Sequence, residues 1–377
     1  MQSFEGAEVR TGLLGEKESC AGEGDGFAGF IPFEALARAG SDVPVCGRLR
    51  SEPGDFRVEE ALGFEPGGEG PHHWLLVCKT GCTTPFAAQV LGERFAVPAR
   101  EIGFSGLKDR HAVTTQWFSV PARPGEPEPE PGELAGGVRI VRAERARKKL
   151  RRGVHAENRF VIVLREVRGD REAFAARVLH VAREGVPNYF GGQRFGRNGR
   201  NVPSAARMLR RAGGPASRLA RGMYLSTARS LLFNRVLHRR VESGGWNARV
   251  AGDAVVVAGR RRALAPDADP REGGTAQEWV AARRAHPTGP LWGRGSSGEV
   301  AAAARRLERA ALLGCEGWQA GLEAAGLEPA RRALRVIPSD LDWEERSAGV
   351  LVVTFAIPRG AFATAVMREL ARDRHPG

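Results

Sequence analysis

Cysteine is scarce in this chain, and its distribution excludes a disulfide framework. Cys20, Cys46, Cys78, Cys82 and Cys315 are odd in number and scattered over 377 residues, which suits a reducing compartment. No apolar run approaches the ~20 residues that span a bilayer, and the N-terminus lacks the basic-then-apolar layout of a secretion signal. A soluble, cytoplasmic protein with no membrane contact is therefore expected. Hydrolase signatures are missing as well, with neither a Gly-x-Ser-x-Gly elbow nor a His-Glu-x-x-His pair, and the glycines of residues 186–201 stand at neither phosphate-loop nor dinucleotide spacing. Cys78 and Cys82 follow His72 and His73, but no second ligand pair at zinc spacing appears. Cys78 ends the run Trp74-Leu75-Leu76-Val77 and reads as a buried small hydrophobe, so no metal is expected.

What is present points to a large globular protein. The chain is long enough for two or more domains, each with its own core, and 42% apolar residues argue against global disorder. A net charge of +13 suggests a polyanionic partner, nucleic acid first. Lysine, however, supplies only five of the 57 basic residues, and an Arg-, Ala- and Gly-rich composition also follows from GC-rich coding, so charge alone does not name a substrate.

Residues 1 to about 45 are Gly- and Glu-rich with weak periodicity, which predicts a poorly ordered or loosely docked extension. Residues 56–60 alternate like a half-buried strand, and 73–79 read as a more buried one. Thr84 is placed to cap a helix with Pro85 at its first position and Phe86, Val90 and Leu91 on one face. A strand is predicted over 114–120. The Pro- and Glu-rich residues 121–137 lack too many backbone donors for regular structure and read as an exposed loop. A basic cluster, residues 142–152, precedes a strand at 159–164. Phe174, Val178, Val181 and Ala182 then fall at helical spacing before Gly185 and Pro187. The Ala- and Arg-rich residues 260–310 read mostly as solvated helix with loops. Strands alternating with helices predict a mixed α/β fold.

Two segments carry candidate chemistry. In the glycine-punctuated run 103–118, Asp109 sits between Lys108 and Arg110. Opposite charge nearby favours a charged carboxylate, and an ionised Asp can act as a nucleophile. The same residues also make an ordinary surface turn. In residues 186–201 aromatic, glycine and arginine residues interleave. Stacking rings, cations and flexible backbone suit unpaired RNA, making Tyr189, Arg194 and Arg197 candidate RNA contacts together with Lys148 and Lys149 of the basic cluster. A tight loop whose aromatics plug a domain junction is the competing reading.

Gly106-Leu107-Lys108-Asp109-Arg110-His111-Ala112-Val113-Thr114 resembles the catalytic motif of the TruD family of tRNA pseudouridine synthases. Pro187-Asn188-Tyr189-Phe190-Gly191-Gly192-Gln193-Arg194-Phe195-Gly196 resembles the Pro-Asn-Tyr-Phe-Gly-x-Gln-Arg-Phe-Gly signature of that family. Residues 53–66, Asn158 with Phe160, and residues 358–370 resemble further family motifs in the same order, so the likeness runs from about 46 to about 370.

The resemblance implies a mixed α+β pseudouridine-synthase core, residues 46–183 with 336–377, interrupted by an inserted α/β domain over 184–335, with RNA in the cleft between. It implies conversion of uridine to pseudouridine at position 13 of certain tRNAs, notably glutamate tRNA, without an external cofactor and on a base withdrawn from its stack. Asp109 would be the nucleophile. Arg50, standing where the family usually has Lys, would pair with it. By the same likeness Phe160 would stack on the uracil, Asn158 would hydrogen-bond the nucleotide, Lys108 would contact substrate, and Phe56 and Phe362 would form the pocket wall. Without the likeness, core packing is the simpler reading of all three phenylalanines. A synthase with another RNA target and a non-catalytic RNA-binding protein are the alternatives. No exposed heptad or long apolar edge is evident, so a monomer without an obligate protein partner is expected.

Overall fold

Residue alternation builds the sheet that carries the motifs. In Phe56–Ala61 the residues Phe56, Val58 and Glu60 are buried while Arg57 and Glu59 are exposed, the period of two that sends alternate side chains to opposite faces. The computed structural model describes residues 26–374 apart from 41–42, 124, 211–216, 261, 267, 270–272 and 297–298. In chain order the strands of the first part are β1 (Val45–Leu49), β2 (Phe56–Ala61), β3 (His72–Thr80), β4 (Gly103–Phe104), β5 (Val113–Pro121), β6 (Gly132–Glu133), β7 (Val138–Ala146) and β8 (Glu157–Gly169). The strands of the middle part are β9 (Val186–Pro187), β10 (Val255–Val257), β11 (Ala285–Leu291), β12 (Ala330–Ala333) and β13 (Arg335–Val336). The last are β14 (Ser339–Ser347), β15 (Val350–Pro358) and β16 (Ala371–Asp373).

The large sheet runs β14-β15-β8-β2-β5-β3-β7-β6, with β1 paired to β8 and β16 and β4 paired to β5. β2 with β5 and β1 with β16 are parallel, whereas β8 lies antiparallel to both β2 and β15. The class is the mixed α/β one expected. β8 is central to the site because its register sets Asn158 opposite Glu60 and Phe160 opposite Val58, and on its other side Phe160 opposite Phe355.

Helix α1 (Thr84–Arg94) starts one residue earlier than the sequence suggests: the cap is Thr83, whose hydroxyl accepts from the Phe86 N–H, and Pro85 is in the second position. Val90 and Leu91 are buried, but Phe86 is 40% exposed. Helix α2 (Arg171–Glu184) is capped by Asp170 and buries Phe174, Val178 and Val181. Gly185, at φ +77°, ends it in a conformation that favours glycine. Most of 121–137 is irregular, with β6 as a two-residue addition. The first residues of the basic cluster, 142–146, lie at the end of β7.

Between β9 and β13 lie helices α3 (Asn201–Arg210), α4 (Arg218–Glu242), α5 (Ala276–Ala281), α6 (Ala302–Ala311) and α7 (Glu316–Ala324), around the small sheet β10-β11-β12. A final helix, α8 (Ala363–Leu370), follows β15. β9 and β13 pair with each other in a separate two-stranded sheet, which brings the two ends of this middle segment together. The expectation of solvated helix over 260–310 is corrected by β11, whose Pro287, Thr288, Gly289 and Pro290 are buried.

The extension is corrected in part. Residues 1–25 lie outside the described residues, but Phe27 and Leu36 are buried in the core formed with α3, α4 and α7. The Gly26 carbonyl accepts from Gly317, and the Ala28 carbonyl accepts from Trp318 Nε1 at 3.0 Å. Apolar side chains flanked by glycines gave too weak a periodicity to reveal this docking.

Candidate active site

Asp109 lies in the turn between β4 and β5, which is tied down from below by a buried lysine. Lys79, on β3, is fully covered and donates from Nζ to the Cys82 carbonyl at 2.7 Å and to the Asp109 carbonyl at 3.0 Å. Burial holds its ammonium below the ordinary lysine range. The other side of the turn is fixed by Thr84 Oγ1, which accepts from the Lys108 N–H at 3.0 Å and donates to Gln116 Oε1 at 2.8 Å. Gln116 Nε2 in turn donates to the Gly106 carbonyl at 3.1 Å.

The cations beside Asp109 in sequence point elsewhere. Lys108 Nζ is 2.8 Å from Glu60 Oε2 and donates to Asn158 Oδ1 at 2.7 Å, while Arg110 donates to the Gly81 carbonyl at 3.3 Å. The cation on the Asp109 carboxylate is Arg50, with Nη2 3.3 Å from Oδ2 and the two side chains 36% and 40% exposed. The Arg50 guanidinium also lies 4.2 Å from the centroid of Phe56, a cation–π contact. Arg50 has φ +56°, a left-handed backbone at the end of β1 that turns its side chain toward the turn.

Phe56 meets Phe160 edge-on at 5.8 Å, and Phe160 stacks on Phe355 at 5.3 Å. Phe56 and Phe160 are only 5% and 8% exposed, so both are core residues that reach the site through a ring edge. Beneath Asn158 lies a polar pocket that sequence reading missed. Glu60 is buried opposite Asn158, and burial raises its carboxyl above the ordinary range despite Lys108. His155, 3.4 Å from Asn158 Nδ2 through Nε2, contacts Ser105 Oγ through Nδ1. Burial and then the Lys108 charge push its imidazole down to about 4. Glu60 was detectable as the inward position of the β2 alternation. Lys79 was detectable as a cation in an otherwise apolar strand.

The remaining candidates do not all gather here. Phe362 precedes α8, 5.7 Å from Phe190 in an edge-on pair, against the core of the middle segment. Lys148 is exposed and Lys149 half-buried. Both line a groove of about 530 Å³ together with Phe64, Trp74, Arg147 and Arg151. Arg197 is exposed. Tyr189 is fully buried under Arg368 and has no surface to offer RNA, a correction to the sequence reading. Arg194 is half-buried and donates to Ser226 Oγ at 2.9 Å. The junction-plugging reading thus describes the aromatic part of that motif. Among the described residues no group of three His, Cys, Asp or Glu is arranged to hold a metal. No helix there is long and apolar enough to cross a membrane.

A half-exposed carboxylate with a cation on one oxygen, beside aromatic edges and an amide, suits covalent work on a planar ring held in a cleft. The family model described as tRNA pseudouridine synthase D (TruD) matches residues 38–211 and 210–370. Proteins named tRNA pseudouridine synthase D from Methylococcus capsulatus and Nitrosococcus oceani are 43% and 40% identical to this chain. The matches cover 90% of this chain in both cases and 94% and 95% of those proteins. A solved structure from Methanosarcina mazei that carries the same name superposes with a TM-score of 0.61 at 22% identity, over 89% of this chain and 95% of that one, which shows a shared fold. With the motifs, the sheet and these likenesses in agreement, the chain belongs to the tRNA pseudouridine synthase D (TruD) family.

Proposed function

We propose that this chain converts uridine 13 of glutamate tRNA to pseudouridine, with Asp109 as the nucleophile. The family is one of tRNA pseudouridine synthases, which are isomerases. The reaction breaks the glycosidic bond from N1, turns the uracil and joins C5 to C1′ of the same ribose. No atom is gained or lost, so no co-reactant is required. The Asp109 carboxylate bonds the nucleotide as the N1–C1′ bond breaks and is released when C5 joins C1′, while C5 gives up its proton and N1 takes one. Arg50 orients that carboxylate from one oxygen and leaves the other available. Asn158, held by Lys108, hydrogen-bonds the withdrawn nucleotide. The edges of Phe56 and Phe160 bound the space in which the ring turns. Lys148, Lys149 and Arg197 hold flanking phosphates.

The observation that carries this reading is the accessibility of Asp109 in a turn otherwise fastened by buried bonds. The test is single-turnover pseudouridine formation on transcribed glutamate tRNA, mapping every uridine, with wild type and Asp109→Asn. Product at position 13 from wild type and none from the variant is expected. Product at another position would overturn the target and keep the chemistry. Binding without product would favour a non-catalytic RNA-binding protein.

A further inference from the structure

Two covered guanidiniums among the described residues each grip a carboxylate by both oxygens. Arg240 takes both oxygens of Asp253, at 3.0 and 2.8 Å, and Arg331 takes both oxygens of Glu308, at 3.2 and 2.6 Å. Arg194 and Arg332 differ, because among the described residues neither has an acidic neighbour that offsets its charge. Arg332, on β12, is held by neutral acceptors only. Its Nε and Nη2 donate to the Asn188 carbonyl at 3.3 Å each, Nη2 to Asn188 Oδ1 at 2.6 Å, and Nη1 to the Gly360 carbonyl at 2.9 Å. It lies 4.2 Å from the Phe190 centroid, and Arg194 lies 5.5 Å from the same centroid and 5.7 Å from that of Phe362. Arg194 Nε has no hydrogen-bond partner. Burial, with the charge of Arg194 added to it, pushes Arg332 down to about 9.

Two cations sharing one ring are not neutralised by it. A cation–π contact contributes about 0.5–2 kcal/mol, whereas burying an ion costs several kcal/mol, and the two guanidiniums repel each other. A covered Thr364 hydroxyl on the first turn of α8 also lacks a partner. It closes on Gly191, where an added Cβ would come within 2.6 Å of Thr364 Oγ1 and 3.2 Å of Phe362 Cδ1. Arg194, Arg332 and Phe362 are all half-buried, so the cluster meets solvent. It is also close to the Asp109 site, since Arg359, beside Gly360, donates to the carbonyl of His155 at 3.2 Å.

We propose that Arg194 and Arg332 form an anion site that takes a phosphodiester of the bound RNA strand, next to the withdrawn nucleotide. Planar guanidinium donors match phosphate oxygens, and the single negative charge of a phosphodiester offsets one of the two positive charges and relieves their repulsion. The site spans β12, the 188–194 loop and the turn before α8, which Arg332 already ties together through Asn188 and Gly360. The proposal rests on the reading of the chain as an RNA-modifying enzyme.

The test is binding of transcribed glutamate tRNA across a salt series by wild type, Arg332→Gln, Arg194→Gln and Arg332→Lys, with the thermal midpoint of each free protein. Each Gln variant is expected to bind about tenfold more weakly at low salt and to lower the slope of log affinity against log salt by about one. Arg332→Lys should restore the slope. Free Arg194→Gln should melt at or near the wild-type midpoint, because an unneutralised cation has gone, whereas Arg332→Gln, which also gives up its bonds to Asn188 and Gly360, is read by its slope. Unchanged affinity and slope in both Gln variants would overturn the site, as would a lower midpoint with an unchanged slope, which marks a structural strut. Arginine-dependent binding without pseudouridine formation would sink the catalytic reading and leave the anion site standing. Failure of wild type to bind tRNA would overturn both.

Discussion

Arg50 reaches Asp109 across 59 residues of chain, and that pairing is open to a clean substitution. Arg and Ala both carry a Cβ, so Arg50→Ala leaves the left-handed backbone at φ +56° as strained as before and removes the side chain beyond Cβ, with its contacts to Asp109 and Phe56. A half-exposed pair contributes about 0.2–1 kcal/mol to stability, so the fold should hold while turnover falls about tenfold, the size of one lost charge-assisted hydrogen bond. Arg50→Lys should keep most of the activity. Full turnover in single-turnover assays of Arg50→Ala would remove Arg50 from the site. His155 offers a second test. Its folded value of about 4 lies below the ordinary 6.5, so the unfolded chain takes up a proton that the native imidazole refuses. Stability is therefore complete above about pH 6.5 and is lost as pH falls toward 4. His155→Gln should flatten that loss by about 1–3 kcal/mol, read from denaturant midpoints against pH. His286, also pushed down to about 4, leaves a residual slope. Parallel curves for wild type and variant would exclude His155 as its source.

At the scale of elements, the two threonines before Pro85 divide the work of one boundary. Thr83 caps α1 through the Phe86 N–H, and Thr83→Ala should cost about 1 kcal/mol. Thr84 joins the helix to Gln116 and to the Lys108 backbone. Thr84→Val strands a buried amide oxygen and a backbone donor, each costing about 1–3 kcal/mol, and it loosens the turn that carries Asp109. Thermal midpoints should rank Thr84→Val below Thr83→Ala, and only the former should lower turnover at saturating tRNA. The reverse order would show that capping, and not the bridge to Gln116, fastens this end. The existence of α1 was legible because Thr-Thr-Pro followed by an apolar run is a helix start. Which threonine caps was not, since both offer the same hydroxyl. The β11 strand was illegible for a different reason. Ala-His-Pro-Thr-Gly-Pro-Leu contains two prolines and a glycine, which argue against an inner strand, yet it pairs with β10 on one side and β12 on the other.

For the whole molecule, residues 26–40 act as a strap across both parts of the chain. Arg368 of α8 donates to the Leu36 carbonyl at 2.6 Å, Glu369 accepts from the Ala39 N–H, and His238 of α4 accepts from the Ala37 N–H. Burial of Phe27 and Leu36 alone is worth about 3–6 kcal/mol. A chain begun at residue 43 should therefore melt about 10 °C lower or more, with exposed apolar surface reported by a hydrophobic dye. An unchanged midpoint would show that the strap adds nothing.

Long motifs and local periodicity lie within the sequence, and they determined the family, the mixed α/β class, the position of Asp109 and four strands of the large sheet, β2, β3, β5 and β8. Each depends on neighbours a few residues apart. Tertiary structure alone decided that Lys108 serves Asn158 and Glu60 and not its neighbour Asp109. It also decided that Lys79 anchors the turn, that Tyr189 is sealed in the core, and that Arg194 and Arg332 share one ring without a carboxylate. These outcomes follow from strand register and burial, which bring together residues up to hundreds of positions apart. A Gly-, Arg- and aromatic-rich loop has the same composition whether it faces RNA or plugs a core, so only packing separates the two.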